Sequence, residues 1–119
     1  MSIKIIGVDS KNQLSSVKLG QKYRVGWKNE YGTSDRKPSF GNSWKDYWEA
    51  YTGHRWPKKC SVFCCDEDAE VGAHVINSEV SDGDFIVPMC KCCNAKYDEY
   101  DHESMILEDD TILVDANLQ

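Results

Sequence analysis

Six cysteines in two tight groups constrain this chain more than anything else in it. Cys60-Ser61-Val62-Phe63-Cys64-Cys65 is followed, after 24 intervening residues, by Cys90-Lys91-Cys92-Cys93. Two short cysteine groups at such an interval are what a closed tetrahedral metal site needs. Each group turns two thiolates inward, and the chain between them brings the second back to the first. Cys90 and Cys93 have the CxxC spacing, whereas Cys60 pairs with either Cys64 or Cys65. The expected ligand set is Cys60, Cys65, Cys90 and Cys93, with Cys64 as the alternative to Cys65, and the expected ion is a structural Zn2+. Free core thiols and disulfides are the competing readings. Met1-Ser2-Ile3-Lys4 opens no apolar signal segment, so the expected compartment is cytoplasmic, where thiols stay reduced and metal binding is favoured over disulfides. No apolar run approaches the ~18–20 residues that a membrane span requires.

With 119 residues the chain has room for one core, and a structural zinc would add ~10 kcal/mol or more of binding free energy to it. The formal charge of −6 conceals a division: residues 1–60 carry a net +7 and nine of the thirteen aromatics, and residues 61–119 carry −13. A basic, aromatic-rich half suits a polyanion such as nucleic acid. The simpler reading is that the halves pack together and neutralise each other.

Residues 3–8 (Ile-Lys-Ile-Ile-Gly-Val) predict a first strand, and the alternation at Val17, Leu19, Tyr23, Val25 and Trp27 predicts one further strand or two kinked at Gly20. Residues 28–41 are loop-forming and contain Arg36 and Lys37. Ser43 opens the clearest helix, with Asp46 as its capping-box partner, Trp44, Tyr47, Trp48 and Tyr51 on one face, and Gly53 as the stop. Such a stripe is more often core than a base-stacking platform. Between the cysteine groups, residues 69–76 and 84–89 predict a hairpin turning at Asp82-Gly83, with Pro88 confining its strand to an edge or an end. Residues 92–100 are compatible with a helix start, and residues 105–107 and 111–114 predict a C-terminal hairpin that closes a sheet with the N-terminal strands.

Knuckle, hairpin, then a helix bearing the second cysteine pair is the order of a treble-clef zinc finger. Gly72-Ala73-His74-Val75, then Phe85-Ile86-Val87-Pro88-Met89-Cys90-Lys91-Cys92-Cys93-Asn94, resembles the zinc-containing branch of the HNH (His-Me finger) nucleases. The resemblance covers roughly residues 56–97, about a third of the chain. It implies that His74 is the general base that activates water, that Cys90 and Cys93 are zinc ligands, and that Asn94 helps to hold a catalytic divalent cation such as Mg2+. An imidazole suits a base at neutral pH, and phosphodiester hydrolysis also needs a cation on the phosphate. Two positions depart from the family pattern: Ala73 stands where a metal-binding Asp or His is common, and Phe85 near the usual middle Asn.

His74 reads equally as a satisfied imidazole on a hairpin strand, and Asn94 as a residue that satisfies backbone groups near the knuckle. His54 reads as a loop residue, and Lys58 and Lys59 beside it are the expected phosphate contacts. The acidic run at residues 98–103 matches no spaced ligand motif and reads as a solvated segment. The expected architecture is therefore α+β, a small single domain with N-terminal β-strands, one aromatic amphipathic helix and a treble-clef zinc finger. Residues 1–55 form its N-terminal β segment and helix, 56–100 the HNH-like finger and 101–119 an acidic hairpin. The expected function is that of a zinc-binding HNH-like protein that binds or cleaves nucleic acid. The alternative is a non-catalytic, zinc-stabilised interaction module or inhibitor whose acidic surface meets a basic protein partner.

Overall fold

The central strand of the fold is the second arm of the hairpin between the cysteine groups. The computed structural model describes residues 16–33, 36–39 and 41–117; the strand expected at residues 3–8 lies outside them. Strands β1 (Ser16–Lys18), β2 (Lys28–Asn29), β3 (Val71–Ile76), β4 (Asp84–Met89) and β5 (Ile112–Asp115) form one antiparallel sheet in the order β1-β5-β4-β3-β2. Helix α1 (Trp44–Thr52) packs on one face, and a single helical turn, α2 (Lys91–Asn94), follows β4. The architecture is α+β.

All six residues of β4 are buried because both faces of the sheet are covered. Phe85, Val87 and Met89 join Trp27, Val75, Met105, Leu107 and Leu113 on one side. Ile86 joins Val114, Ala116, Tyr47 and Trp48 under the helix. Pro88 is the penultimate residue of β4, at the strand end to which its missing N–H confines it.

Helix α1 has the expected caps. Ser43 Oγ accepts from the Asp46 N–H at 3.1 Å, and Gly53 takes φ 70° while its N–H bonds the Glu49 carbonyl. The Asp46 carboxylate bonds the N–H of Asn42 at 3.3 Å, one residue short of a capping box. Tyr47 and Trp48 are buried and Trp44 and Tyr51 half-buried, so the aromatic stripe is core. Its polar ends are satisfied: Tyr47 Oη donates to the Asp115 carbonyl at 2.6 Å and Trp48 Nε1 to that of Ile112 at 2.9 Å. Gly72 lets α1 lie this close, since a Cβ there would meet Trp44 Cβ at 2.6 Å.

Three sequence expectations differ in detail. The alternating stretch at residues 17–27 yields only β1, after which the chain turns alongside residues 105–111, with Leu19 N–H bonding the Thr111 carbonyl and Trp27 exchanging bonds with Met105. Met105 and Leu107 bridge to Trp27 and Val62 instead of pairing with residues 111–114, so the C-terminal segment closes the sheet through β5 alone. Helix α2 stops at Asn94, and Tyr97 takes φ 57° where a longer helix was compatible with the sequence. The acidic and basic halves interleave through β1–β5 and β2–β3, and Arg36 pairs with Asp84 across the division.

Candidate metal centre and histidine cleft

The first cysteine group forms a loop ahead of β3, and the second caps α2. Cys60 N–H bonds the Glu67 carbonyl at 2.9 Å, and Cys65 N–H turns back onto the Val62 carbonyl at 3.0 Å. Between them Cys64 adopts φ 63°, a left-handed conformation rare outside glycine, and its side chain is exposed. That turn brings Cys65 inward instead. Cys90 is the N-cap of α2, and its Sγ accepts from the Cys93 N–H at 3.3 Å.

The sulfurs of Cys60, Cys65, Cys90 and Cys93 all lie within 4.8 Å of one another. Cys65 stands 3.9 Å from both Cys90 and Cys93. Four ligands at a Zn–S distance of about 2.3 Å in a tetrahedron would be about 3.8 Å apart, so this donor set fits an ion such as zinc. The sulfurs are too distant for disulfides, and all six cysteines are free thiols. Burial pushes the Cys60 thiol up to about 11, and burial together with the hydrogen bond that its thiol donates to Cys90 pushes Cys93 up as well. At Cys90 burial acts upward, but the Cys93 N–H and the neighbouring thiols outweigh it and lower the value. Only a cation at the centre would let all four ionise together. Asn29, missed in the sequence, anchors this end of the molecule: its side-chain amide donates to the Cys93 and Lys96 carbonyls at 2.9 and 2.5 Å.

His74 lies on the face of the sheet that α1 covers. The β3–β4 register pairs it with Ile86, so Asp84, two residues earlier on the same face, is its diagonal neighbour. His74 Nδ1 is 3.1 Å from Asp84 Oδ2. Arg36 donates to the same oxygen at 2.6 Å and to Glu30 at 3.2 Å, and the Asn117 amide donates to Asp84 Oδ1 at 3.0 Å. The Trp44 ring stands edge-on to the imidazole with centroids 4.5 Å apart. His74 Nε2 is buried with no hydrogen-bond partner among the described residues. Burial acts to raise the Asp84 carboxyl, but the hydrogen bonds from His74, Glu30, Arg36 and Asn117 hold it well below the ordinary range. Burial, then the hydrogen bond and charge of Asp84, raise Glu30 to about 7 against the pull of Arg36.

His74 and Asn94, from different elements, line one cleft of about 140 Å³ with Thr33, Arg36, Trp44 and Gly72. A larger hollow of about 510 Å³ adjoins it through Arg36, Trp44 and Gly72, and adds Lys37 and Lys45. Lys58 and Lys59 lie elsewhere: both are exposed, Lys59 pairs with Asp66 at 3.4 Å, and it lines a separate hollow with His54, Arg55 and Trp48. Glu30, His74 and Asp84 also bring their ligand atoms within 4.8 Å of one another, but the cation among them is the Arg36 guanidinium. Ala73 is buried and offers no donor. These residues do not fit the divalent cation that the HNH resemblance implies beside Asn94. His74 and Asn94 were legible from the motif; Glu30, Arg36 and Asp84 were not, because their meeting depends on the strand register and on the course of residues 28–41.

No protein-family model matches the chain, and searches of curated proteins and of solved structures return no match. Among the described residues no helix is long and apolar enough to cross a membrane.

Proposed function

We propose that this chain is a zinc-stabilised, HNH-like protein of treble-clef form that binds nucleic acid and hydrolyses its phosphodiester bonds at the His74 cleft. One observation carries the reading: His74 and Asn94, the two positions that the motif singles out, share a cleft with Arg36. Cys60, Cys65, Cys90 and Cys93 would hold the Zn2+, which supplies fold stability and no chemistry. His74 would take the proton of a water molecule as its oxygen attacks phosphorus. The ester P–O bond breaks, and the leaving oxygen takes its proton from solvent. Arg36 supplies positive charge beside the phosphate, and Lys37 and Lys45 in the adjoining hollow supply backbone contacts beyond Lys58 and Lys59.

The test is incubation of zinc-loaded protein with plasmid, single-stranded DNA and RNA, with and without Mg2+ or Mn2+. Nicking that disappears in His74→Ala and falls in Asn94→Ala supports the reading. Neither cleavage nor salt-dependent retention on nucleic acid would sink it.

A second reading, a module that docks on a basic protein partner, is favoured by one surface feature. Tyr31 and Tyr100 are 66% and 76% exposed and stand edge-to-face with centroids 5.5 Å apart. Asp98, Glu99 and Asp101 adjoin Tyr100 in the chain, and the Tyr31 N–H bonds Glu99 Oε1 at 3.1 Å. Exposed aromatics among carboxylates suit an arginine side chain. Binding of an arginine-rich peptide that weakens several-fold in Tyr31→Ala and Tyr100→Ala, in a chain that cleaves nothing, would favour this reading.

A further inference from the structure

His74 and Asp84 are 5% and 6% exposed, so their contact is buried. Both oxygens of Asp84 are engaged: Oδ2 faces His74 Nδ1 at 3.1 Å and accepts from Arg36 at 2.6 Å, and Oδ1 accepts from Asn117 at 3.0 Å. Arg36 is held from its other side by Glu30 at 3.2 Å. A carboxylate with an arginine on the same oxygen is an acceptor, so the hydrogen that it shares with the imidazole belongs to Nδ1. In a neutral ring the lone pair then falls on Nε2, the buried atom with no partner among the described residues, in the ring that lines the cleft beside Asn94.

We propose that Asp84 is the positioning residue of the His74 centre: it takes the Nδ1 hydrogen, fixes the ring against Trp44, and leaves Nε2 as the proton acceptor of the cleft. Arg36 and Asn117 fix the carboxylate in turn. The inference rests on the hydrolytic reading of His74, in which a water proton passes to Nε2. The imidazolium that results keeps its Nδ1–H on an ionised carboxylate, which stabilises the charge as it forms. The HNH resemblance supplies His74 and Asn94 but neither Asp84 nor Arg36.

The experiment reads the tautomer directly. Long-range proton–nitrogen correlation spectra of the ¹⁵N-labelled, zinc-loaded full chain at neutral pH report which nitrogen of His74 carries hydrogen. His54→Gln and His102→Gln identify the other two histidines. The wild-type chain is expected to show hydrogen on Nδ1 and none on Nε2. Asp84→Asn is expected to move the ring toward the Nε2–H tautomer and to lower kcat by ~100-fold or more with a much smaller change in KM. Asp84→Glu is expected to restore part of the Nδ1–H population. Hydrogen on Nε2 in the wild-type chain, alone or in an imidazolium, overturns the proposal, as does an unchanged tautomer in folded Asp84→Asn. Should that variant fail to fold, the wild-type spectrum still decides. An Nδ1–H ring in a chain that cleaves nothing supports the role of Asp84 and removes only the hydrolytic reading.

Discussion

Cys64 and Cys65 are neighbours with opposite fates, and the backbone at Cys64 separates them. Its φ of 63° turns the chain so that Cys65, not Cys64, joins Cys60, Cys90 and Cys93. The spacing of the first group allowed either residue, because a left-handed turn at a non-glycine position leaves no mark in sequence. Cys65→Ser should therefore weaken Zn2+ binding by more than ~100-fold, beyond the range of outer-shell changes, in competition against a chromophoric chelator. Cys64→Ser should leave it unchanged, with stability within about 0.5 kcal/mol of wild type. Equal losses in the two variants would refute the ligand set. Glu30 gives a second test at this scale. Its carboxyl is raised to about 7 by burial first, and by Asp84. A raised acid binds its proton more tightly in the folded state, so its contribution is present below the ordinary glutamate range and is lost as pH rises toward 7. Asp84, held low, acts in the opposite sense and is lost only under strong acid. The melting temperature should thus fall from pH 5 to pH 7.5 more steeply in the wild-type chain than in Glu30→Gln, both measured with saturating zinc. Parallel slopes would mean that Glu30 does not carry this proton.

Among the elements, α1 and the β3–β4 hairpin were legible in the sequence, and the reason is signal length. Nine helical residues between Ser43 and Gly53 carry caps and an aromatic stripe, and each arm of the hairpin has six residues ending in turn residues or a cysteine. β1 and β2, at three and two residues, are too short for any period, so the alternation at residues 17–27 implied more strand than forms. The likeness at the cysteine groups located His74 and Asn94, but the partners of His74 come from register and loop path, which no local pattern encodes. Gly72 shows how an element positions the site. It faces α1 beside His74, and an added Cβ would lie 2.6 Å from Trp44 Cβ and 3.2 Å from the Trp44 carbonyl carbon. Since Trp44 also stands on the His74 ring, Gly72→Ala should push the start of α1 away from the sheet. The expected cost is ~1–3 kcal/mol in denaturant unfolding, with a change in the His74 ring resonances. A chain of unchanged stability and spectrum would show that α1 yields freely there.

For the whole molecule, the cysteine centre and the core are one structure. Cys60 and Cys90 are buried in the same cluster as Trp27, Val75, Phe85, Met105 and Leu107, with Cys65, Cys93 and Val62 packed against it. The loop that carries Cys60 bonds β4 through Ser61 N–H and the Pro88 carbonyl at 3.0 Å, and Glu108 N–H bonds the Ser61 carbonyl at 2.8 Å. β2 is tied to the turn after α2 by Asn29. Loss of a cation from the centre would remove the bonds that hold Cys60, Cys65, Cys90 and Cys93 together against the apolar face of the sheet, and those backbone ties would carry the damage to β2, β4 and the segment at 105–111. With a structural zinc worth ~10 kcal/mol or more, an amount comparable to the whole stability of a domain this size, no folded apo chain is expected. Stripping the ion with a strong chelator should therefore abolish the cooperative thermal transition and most of the far-ultraviolet circular dichroism, and added Zn2+ should restore both. A chain shown by elemental analysis to be metal-free, yet melting as before, would mean that the thiols fill the core unaided and that the zinc reading of the four cysteines is wrong.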